Sequence, residues 1–111
     1  MMNQLASNQA LLDDYDWTVY VLPSMNPDGL ISGYSHNGPG RLTTSYITSS
    51  GNLSYAKGID MNRSFPTNWT PYTSARNYNG PAPLASRESA ALAKFVQNVK
   101  GNGVNMCFDV H

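Results

Sequence analysis

The sequence has one cysteine, few charged residues and no long hydrophobic run. The single Cys107 excludes an internal disulfide and a metal cluster built from cysteines. Its apolar surroundings favour a small buried hydrophobe over a nucleophile. Seven basic residues balance seven acidic ones, so the chain lacks the positive field that binds nucleic acid or an anionic membrane surface. No apolar run approaches the roughly 18 residues of a membrane helix, and we expect neither nucleic acid nor membrane as a partner.

The first residues also lack a targeting signal. Residues 1–4 carry no basic side chain and no apolar stretch follows them, so we expect no signal peptide in this sequence. The 111 residues, 41% of them hydrophobic, are enough for about one small domain. Asn, Ser, Thr, Tyr and Gly are abundant whereas Lys and Glu are scarce, a composition common in secreted bacterial hydrolases. The composition therefore predicts an extracellular or cell-envelope location in a bacterium.

Hydrophobic periodicity predicts two helices and two strands. Residues 2–14 follow a helical period weakly and residues 86–100 follow it clearly. Residues 18–22 form a β-branched and aromatic run that predicts a strand buried on both faces, and residues 104–110 alternate as a second strand that leads to His111. This order predicts an α/β unit, in which ligands bind beyond the carboxyl ends of the strands.

The segment 26–85 shows no sustained period. A loop of that length is expected in a compact domain only where it serves a function, so we predict that it forms a binding surface. Asn26-Pro27-Asp28-Gly29 has the residues of a type I turn, and residues 43–54 suggest a short hairpin or a packed surface loop.

Asn62 and Arg63 place an amide beside a guanidinium in a loop rich in Gly, Ser and Pro. The planar fork of an arginine fits a carboxylate with two hydrogen bonds, and the amide can bind the same anion. Taken alone, such a pair in a loop is more often solvated than functional.

Four segments in order resemble the zinc carboxypeptidases of the carboxypeptidase A type. They are Val-Leu-Pro-Ser-Met-Asn-Pro-Asp-Gly at 21–29, Gly-Ile-Asp-Met-Asn-Arg-Ser-Phe-Pro at 58–66, Tyr-Asn-Gly-Pro at 78–81 and Cys-Phe-Asp-Val-His at 107–111. The resemblance implies that residues 1–111 are the central segment of one catalytic domain. It further implies an α/β fold with a mixed, mostly parallel sheet and flanking helices, incomplete in this chain.

The resemblance also implies roles for individual residues. Arg41 matches the cation that stabilises the oxyanion, and Asn62 with Arg63 matches the pair that holds the substrate's terminal carboxylate. Asp60 matches a carboxylate that orients a zinc-bound histidine, although a turn-forming aspartate is an alternative. Ser64 stands where the family usually has Asn.

Zinc is the cofactor that the resemblance implies, with His111 as one of three protein ligands. The other two, in a His-x-x-Glu motif, are absent, because His36 is followed by Asn-Gly-Pro. The family's catalytic glutamate and mobile tyrosine would follow His111. Without the resemblance to this family, His111 would be interpreted as an ordinary residue, since a single histidine does not indicate a metal site.

Two functions remain open at this stage. The first is a zinc metallocarboxypeptidase that hydrolyses the peptide bond next to a free carboxyl terminus, such as that of a bacterial wall stem peptide. Its partners would be that peptide and the remainder of the catalytic domain, without which we expect this segment to be inactive. The alternative is a non-catalytic fragment that binds carboxylate-bearing peptides.

Overall fold

The computed structural model describes residues 2–14, 16, 18–31, 40–101, 103 and 106–109. Helices dominate the regular structure of this part of the chain, and a two-stranded antiparallel sheet accompanies them. The helices are α1 (Met2–Ser7), α2 (Gln9–Asp13), α3 (Pro27–Ile31), a 3-10 helix (Met61–Arg63) and α4 (Arg87–Gly101), and the strands are β1 (Tyr46–Ile47) and β2 (Leu53–Ser54). The architecture is that of a small α/β unit.

The predicted amino-terminal helix is present but divided into α1 and α2 at Asn8. The backbone of Asn8 is not helical, with φ −124° and ψ 51°, and its side-chain amide donates to the carbonyl oxygen of Gln4 at 2.9 Å. Asparagine side chains compete in this way for backbone groups and so interrupt helices.

The predicted helix over 86–100 is confirmed as α4, which begins at Arg87 and ends at Gly101. Ser86 caps it, because its hydroxyl accepts a hydrogen bond from the backbone N–H of Ser89 at 3.0 Å. Among the apolar residues of α4, Val99 is buried whereas Val96 is 45% exposed. In the described residues, no helix is long and apolar enough to cross a membrane.

Neither of the two predicted strands is seen among the described residues. Residues 18–22 have no ladder partner among the described residues, and they pack instead beside α4, where the ring of Tyr20 meets that of Phe95 edge-on with centroids 5.6 Å apart. Residues 106–109 are irregular and the rest of the predicted strand at 104–110 lies outside the described residues. The predicted parallel sheet is therefore not seen in the described part of the chain, where the only sheet is antiparallel.

Cys107 corrects a further prediction, because its side chain is exposed rather than buried. The neighbouring Phe108 is 77% exposed. The apolar neighbours on which the prediction rested therefore do not bury the Cys107 side chain in this structure.

The predicted turn at Asn26 continues into a helix. The side chain of Asn26 caps this helix, because Asn26 Oδ1 accepts a hydrogen bond from the backbone N–H of Gly29 at 3.2 Å. The chain then goes on as α3, and the N–H of Leu30 donates to the carbonyl oxygen of Asn26 at 3.1 Å. Pro27 and Asp28 suit the first helical turn, where a proline loses no hydrogen bond and an acidic side chain meets the positive helix end.

The hairpin predicted within 43–54 is confirmed by the pairing of β1 with β2, in which Tyr46 faces Ser54 and Ile47 faces Leu53. It is tied to the start of α4 because the N–H of Ile47 donates to the carbonyl oxygen of Ala85 at 2.6 Å. This hydrogen bond connects the long irregular segment to the start of α4.

A second backbone pairing lies at the centre of the irregular segment. Leu42 forms a bridge with Asp60, and the N–H of Thr43 donates to the carbonyl oxygen of Ile59 at 3.0 Å. Asp60 in turn donates its N–H to the carbonyl oxygen of Tyr78 at 2.7 Å. Three distant stretches of chain therefore meet around Ile59, whose side chain is fully buried.

Gly58 controls this pairing, and we predict that Gly58→Ala disrupts it. A Cβ at this position would collide with the backbone carbonyl of Thr43, which cannot move aside as a flexible side chain would. We expect amide hydrogen exchange at Thr43 to accelerate at least about tenfold, measured by NMR in the protein that carries this segment. Gly101→Ala is the matched control, because nothing lies within 4 Å of its Cβ. Unchanged exchange in Gly58→Ala would show that the pairing does not depend on this glycine.

Candidate functional site

The candidate site is built around one carboxylate oxygen that binds two guanidinium groups. Asp60 Oδ2 accepts a hydrogen bond from Arg41 Nη2 at 2.8 Å and another from Arg63 Nη1 at 3.1 Å. The Asp60 side chain is 4% exposed, whereas those of Arg41 and Arg63 are 26% and 35% exposed. Three of the residues singled out in the sequence are therefore brought together here.

The burial of Asp60 explains why both arginines are held. An ionised carboxylate removed from water is strongly unfavourable unless it is paired and hydrogen-bonded. Two positive charges against one negative charge also leave the cluster with one net positive charge. The cluster is therefore suited to an additional anion, or to an oxygen that becomes negative during a reaction.

Asp60 begins a turn, as the alternative interpretation predicts, but its carboxylate takes no part in that turn. Asp60 precedes the 3-10 helix, yet its side chain makes no capping hydrogen bond to that helix. The turn is closed by the backbone, since the N–H of Arg63 donates to the carbonyl oxygen of Asp60 at 3.0 Å. The carboxylate is thereby left to the arginines.

Arg41 is held on more than one side. Its Nη2 also donates to Asn77 Oδ1 at 3.1 Å, and its Nε donates to the carbonyl oxygen of Arg76 at 3.4 Å. The residue that follows it, Leu42, is part of the bridge to Asp60. Arg41 therefore has a well-defined position even though residues 32–39 before it lie outside the described residues.

Arg63 is more open than Arg41. Within the described part of the chain its only hydrogen-bond acceptor is Asp60, bonded through Nη1, and its guanidinium carbon lies 5.8 Å from the centroid of the Tyr72 ring. The Nη2 and Nε groups thus remain as donors for a ligand. They have the planar arrangement that binds a carboxylate with two hydrogen bonds. The adjacent Asn62 is exposed, so its amide is open to the same solvent.

The described residues do not by themselves fit a zinc ion. No group of three or more His, Cys, Asp or Glu side chains among them could hold a metal, and the buried carboxylate of Asp60 is already engaged by two arginines. The predicted ligand His111 lies outside the described residues, as does His36. The predicted metal ligation therefore stays a prediction.

An aromatic cluster beside the site was not singled out in the sequence. The rings of Tyr46 and Tyr78 meet edge-on with centroids 5.5 Å apart, and Lys57 Nζ lies 3.5 Å from the centroid of Tyr78. Burial, followed by the charge and hydrogen bond of Tyr46, raises the pKa of Tyr78 above 10.0, so its hydroxyl stays protonated at neutral pH. The cluster joins the hairpin to Tyr78, whose carbonyl oxygen accepts the hydrogen bond from the backbone N–H of Asp60. In the sequence, only the Tyr-Asn-Gly-Pro segment at 78–81 points to one member of this cluster, Tyr78.

Two buried asparagines, Asn26 and Asn79, were also missed as contributors to the site. The sequence places Asn26 in a predicted turn that follows the run 18–22, and Asn79 within the Tyr-Asn-Gly-Pro segment at 78–81. Neither pattern predicts a hydrogen-bond partner for the side chain. Both side chains bond to backbone next to the arginines or to Arg63 itself. No local pattern in the sequence indicates such contacts, because they join residues far apart along the chain.

Comparison with known proteins agrees with the motifs at this site. A model of the zinc carboxypeptidase family matches residues 1–111. The chain is 36% identical over 98 residues to bacteriocin BCN5 of Clostridium perfringens. This match covers 86% of this chain and 10% of that protein. It is 35% identical over 101 residues to carboxypeptidase B of Rattus norvegicus, covering 86% of this chain and 23% of the relative. It is 38% identical over 93 residues to carboxypeptidase B of Homo sapiens, and this match covers 79% of this chain and 21% of the relative.

The chain thus spans between about a tenth and a quarter of the length of these relatives. No solved structure gives a significant match. Zinc is the cofactor of the matched family, whose members act on peptides with free carboxyl termini. The family match over 1–111, together with identities above 30% to carboxypeptidase B, shows that this chain belongs to the zinc carboxypeptidase family.

Proposed function

We propose that this segment provides the carboxylate-binding wall of a zinc metallocarboxypeptidase that removes the residue at a free carboxyl terminus. The observation that supports it best is the pairing of Arg41 and Arg63 with the single carboxylate of Asp60. This pairing leaves a net positive charge and unused N–H donors at a half-exposed surface. A terminal carboxylate is the peptide group that such a surface binds most strongly.

In this proposal the two arginines have different tasks. The open edge of Arg63, together with the exposed amide of Asn62, binds the terminal carboxylate and so fixes the scissile bond. Arg41, which donates to the same oxygen of Asp60 as Arg63, faces the carbonyl oxygen that gains negative charge in the transition state. Asp60 holds both guanidinium groups in place before the substrate arrives, so that little reorganisation accompanies binding.

The remaining parts of the proposal concern groups beyond the described residues. We propose that the segment acts within a complete catalytic domain, where His111 is one of the zinc ligands. A bacterial cell-wall stem peptide is the proposed substrate, and the extracellular space or cell envelope of a bacterium the proposed location. The relative that carries the name bacteriocin supports a bacterial setting.

The first prediction concerns Arg63 in the complete catalytic domain. Arg63→Met should lower kcat/KM for a peptide with a free carboxyl terminus by roughly 10- to 100-fold, since a charge-assisted hydrogen bond contributes about 1.5–3 kcal/mol. The loss should be much smaller for the same peptide with an amidated terminus, which never engages the guanidinium fork. Steady-state kinetics on the paired peptides measures both. Equal losses would remove the carboxylate-binding role and leave Arg63 as a structural residue.

Arg41 should behave differently in the same assay. Because an oxyanion forms with either peptide, Arg41→Met should lower kcat for the free-acid and the amidated substrate by a similar factor, about 100-fold. KM should change less than kcat. A loss confined to the free-acid peptide would instead assign Arg41 to the terminal carboxylate.

Zinc binding tests whether the segment is part of a larger metal site. Titration calorimetry should show weak binding to the isolated 111-residue chain and tight, stoichiometric binding to the complete domain. His111→Ala should remove the tight binding in the complete domain. His36→Ala, which changes the other histidine of this chain, is the control and should leave it intact. A tight site in the isolated chain would mean that other residues are the ligands.

The alternative of a non-catalytic binder is an outcome of the same experiments. A complete protein that binds free-acid peptides through Arg63 but shows no turnover with zinc present would support the alternative. Turnover that depends on Arg41 would exclude it.

A further inference from the structure

Two buried asparagines form hydrogen bonds to the backbone at or next to the two arginines. Asn26 is 6% exposed and Asn79 is fully buried. Each side-chain amide donates two hydrogen bonds and accepts one, and all six partners are backbone groups. A primary amide can donate twice and accept at the same time in one plane, which neither a carboxylate nor an apolar side chain of similar size can do.

Asn26 binds the backbone on both sides of Arg41. Its Nδ2 donates to the carbonyl oxygens of Gly40 and Leu42, both at 2.8 Å, and these are the residues on either side of Arg41. Its Oδ1 accepts from the N–H of Gly29 at 3.2 Å. A Cβ at Gly29 would collide with this amide and with the carbonyl of Leu42, so the glycine leaves room for the contact. The backbone at Arg41 is thereby fixed from both neighbours.

Asn79 acts on Arg63 in a corresponding way. Its Nδ2 donates to the carbonyl oxygen of Arg63 at 3.0 Å and to that of Thr70 at 2.8 Å. Its Oδ1 accepts from the N–H of Tyr72 at 2.8 Å. One side chain therefore joins the backbone of Arg63 to the segment whose Tyr72 ring lies 5.8 Å from the guanidinium carbon.

We propose that Asn26 and Asn79 are positioning residues, Asn26 for Arg41 and Asn79 for Arg63. The proposal rests on the proposed function, in which Arg41 stabilises the oxyanion and Arg63 binds the terminal carboxylate. Neither asparagine touches substrate, because both are buried. Asn79 acts through the backbone carbonyl of Arg63, whereas Asn26 acts through the carbonyls of the two residues that flank Arg41. The hydrogen-bond partners of the two amides are different residues.

The separate partners lead to different kinetic effects. Displacing Arg63 alone weakens the grip on the terminal carboxylate, which changes the preference for free-acid over amidated peptides. Displacing Arg41 alone removes transition-state stabilisation, which lowers kcat for both peptides while their ratio is kept. A side chain that only supports the fold lowers the folded fraction, and that changes neither KM nor the ratio of the two substrates.

The test uses the complete catalytic domain with Asn26→Leu and Asn79→Leu, which keep the side-chain size but remove all hydrogen bonds. After correction for the folded, active fraction, Asn79→Leu should lower the free-acid to amide ratio of kcat/KM by about tenfold, mainly through KM. Asn26→Leu should lower kcat for both peptides by about tenfold and preserve the ratio. Ser89→Ala is the matched control, because Ser89 is equally buried and hydrogen-bonded but has no arginine partner. It should lower Tm without changing the ratio.

The double variant Asn79→Leu/Arg63→Met separates positioning from support. If Asn79 acts through Arg63, the double variant should show the same substrate ratio as Arg63→Met alone. A further tenfold loss in the ratio would overturn the proposal for Asn79. If either leucine variant does not fold, Asn26→Ser and Asn79→Ser, which shorten the side chain and keep a hydroxyl, are measured in the same way.

Two results would overturn the inference as a whole. The first is an unchanged substrate ratio in Asn79→Leu, and the second is an altered ratio in Asn26→Leu. Failure of the proposed function can be told apart from failure of the positioning role. If the proposed function is wrong, Arg63→Met itself would lower kcat/KM equally for the free-acid and the amidated peptide. If Arg63→Met discriminates and Asn79→Leu does not, the positioning role alone is wrong.

Discussion

The buried carboxylate of Asp60 is the interaction on which the candidate site depends. With its side chain only 4% exposed, it needs positive partners, and the two arginines that satisfy it come from positions 19 residues before and three residues after it. The same residue pairs its backbone with Leu42 and with Tyr78. One position thus determines both the electrostatics of the site and the path of the chain around it.

Polar groups make up most of the described interior. The buried hydrophobic residues are Ile59, Met61, Ala85 and Val99. Around them lie buried asparagine, serine and threonine side chains that bond mainly to backbone, such as Thr43, whose hydroxyl donates to the carbonyl of Ser45 and accepts from the N–H of Ile59. A segment with so little regular structure leaves many backbone groups unpaired, and these side chains satisfy them. The irregular loop is consequently ordered by specific hydrogen bonds rather than by apolar packing.

Elements with local causes were predicted well from the sequence. The α4 helix has its cap at Ser86 and its apolar stripe within one segment, and the hairpin at β1 and β2 needs only a short turn. The strand predicted over 18–22 was wrong because a strand requires hydrogen-bonding partners that periodicity does not reveal, and none of the described residues pairs with it. The turn at Asn26 became α3 because Pro27 and Asp28 also suit the first turn of a helix.

For the site, the sequence by itself determined the family and the residue types, since motifs in order carry that information without any knowledge of distances. It singled out Arg41, Asp60 and the pair Asn62 and Arg63, for which the resemblance implies three different roles. Only the tertiary structure decided that both arginines share one oxygen of Asp60, and that Asn26 and Asn79 hold the backbone beside them. Contacts between residues 14 to 36 positions apart depend on how the loop closes, and no local propensity encodes that closure.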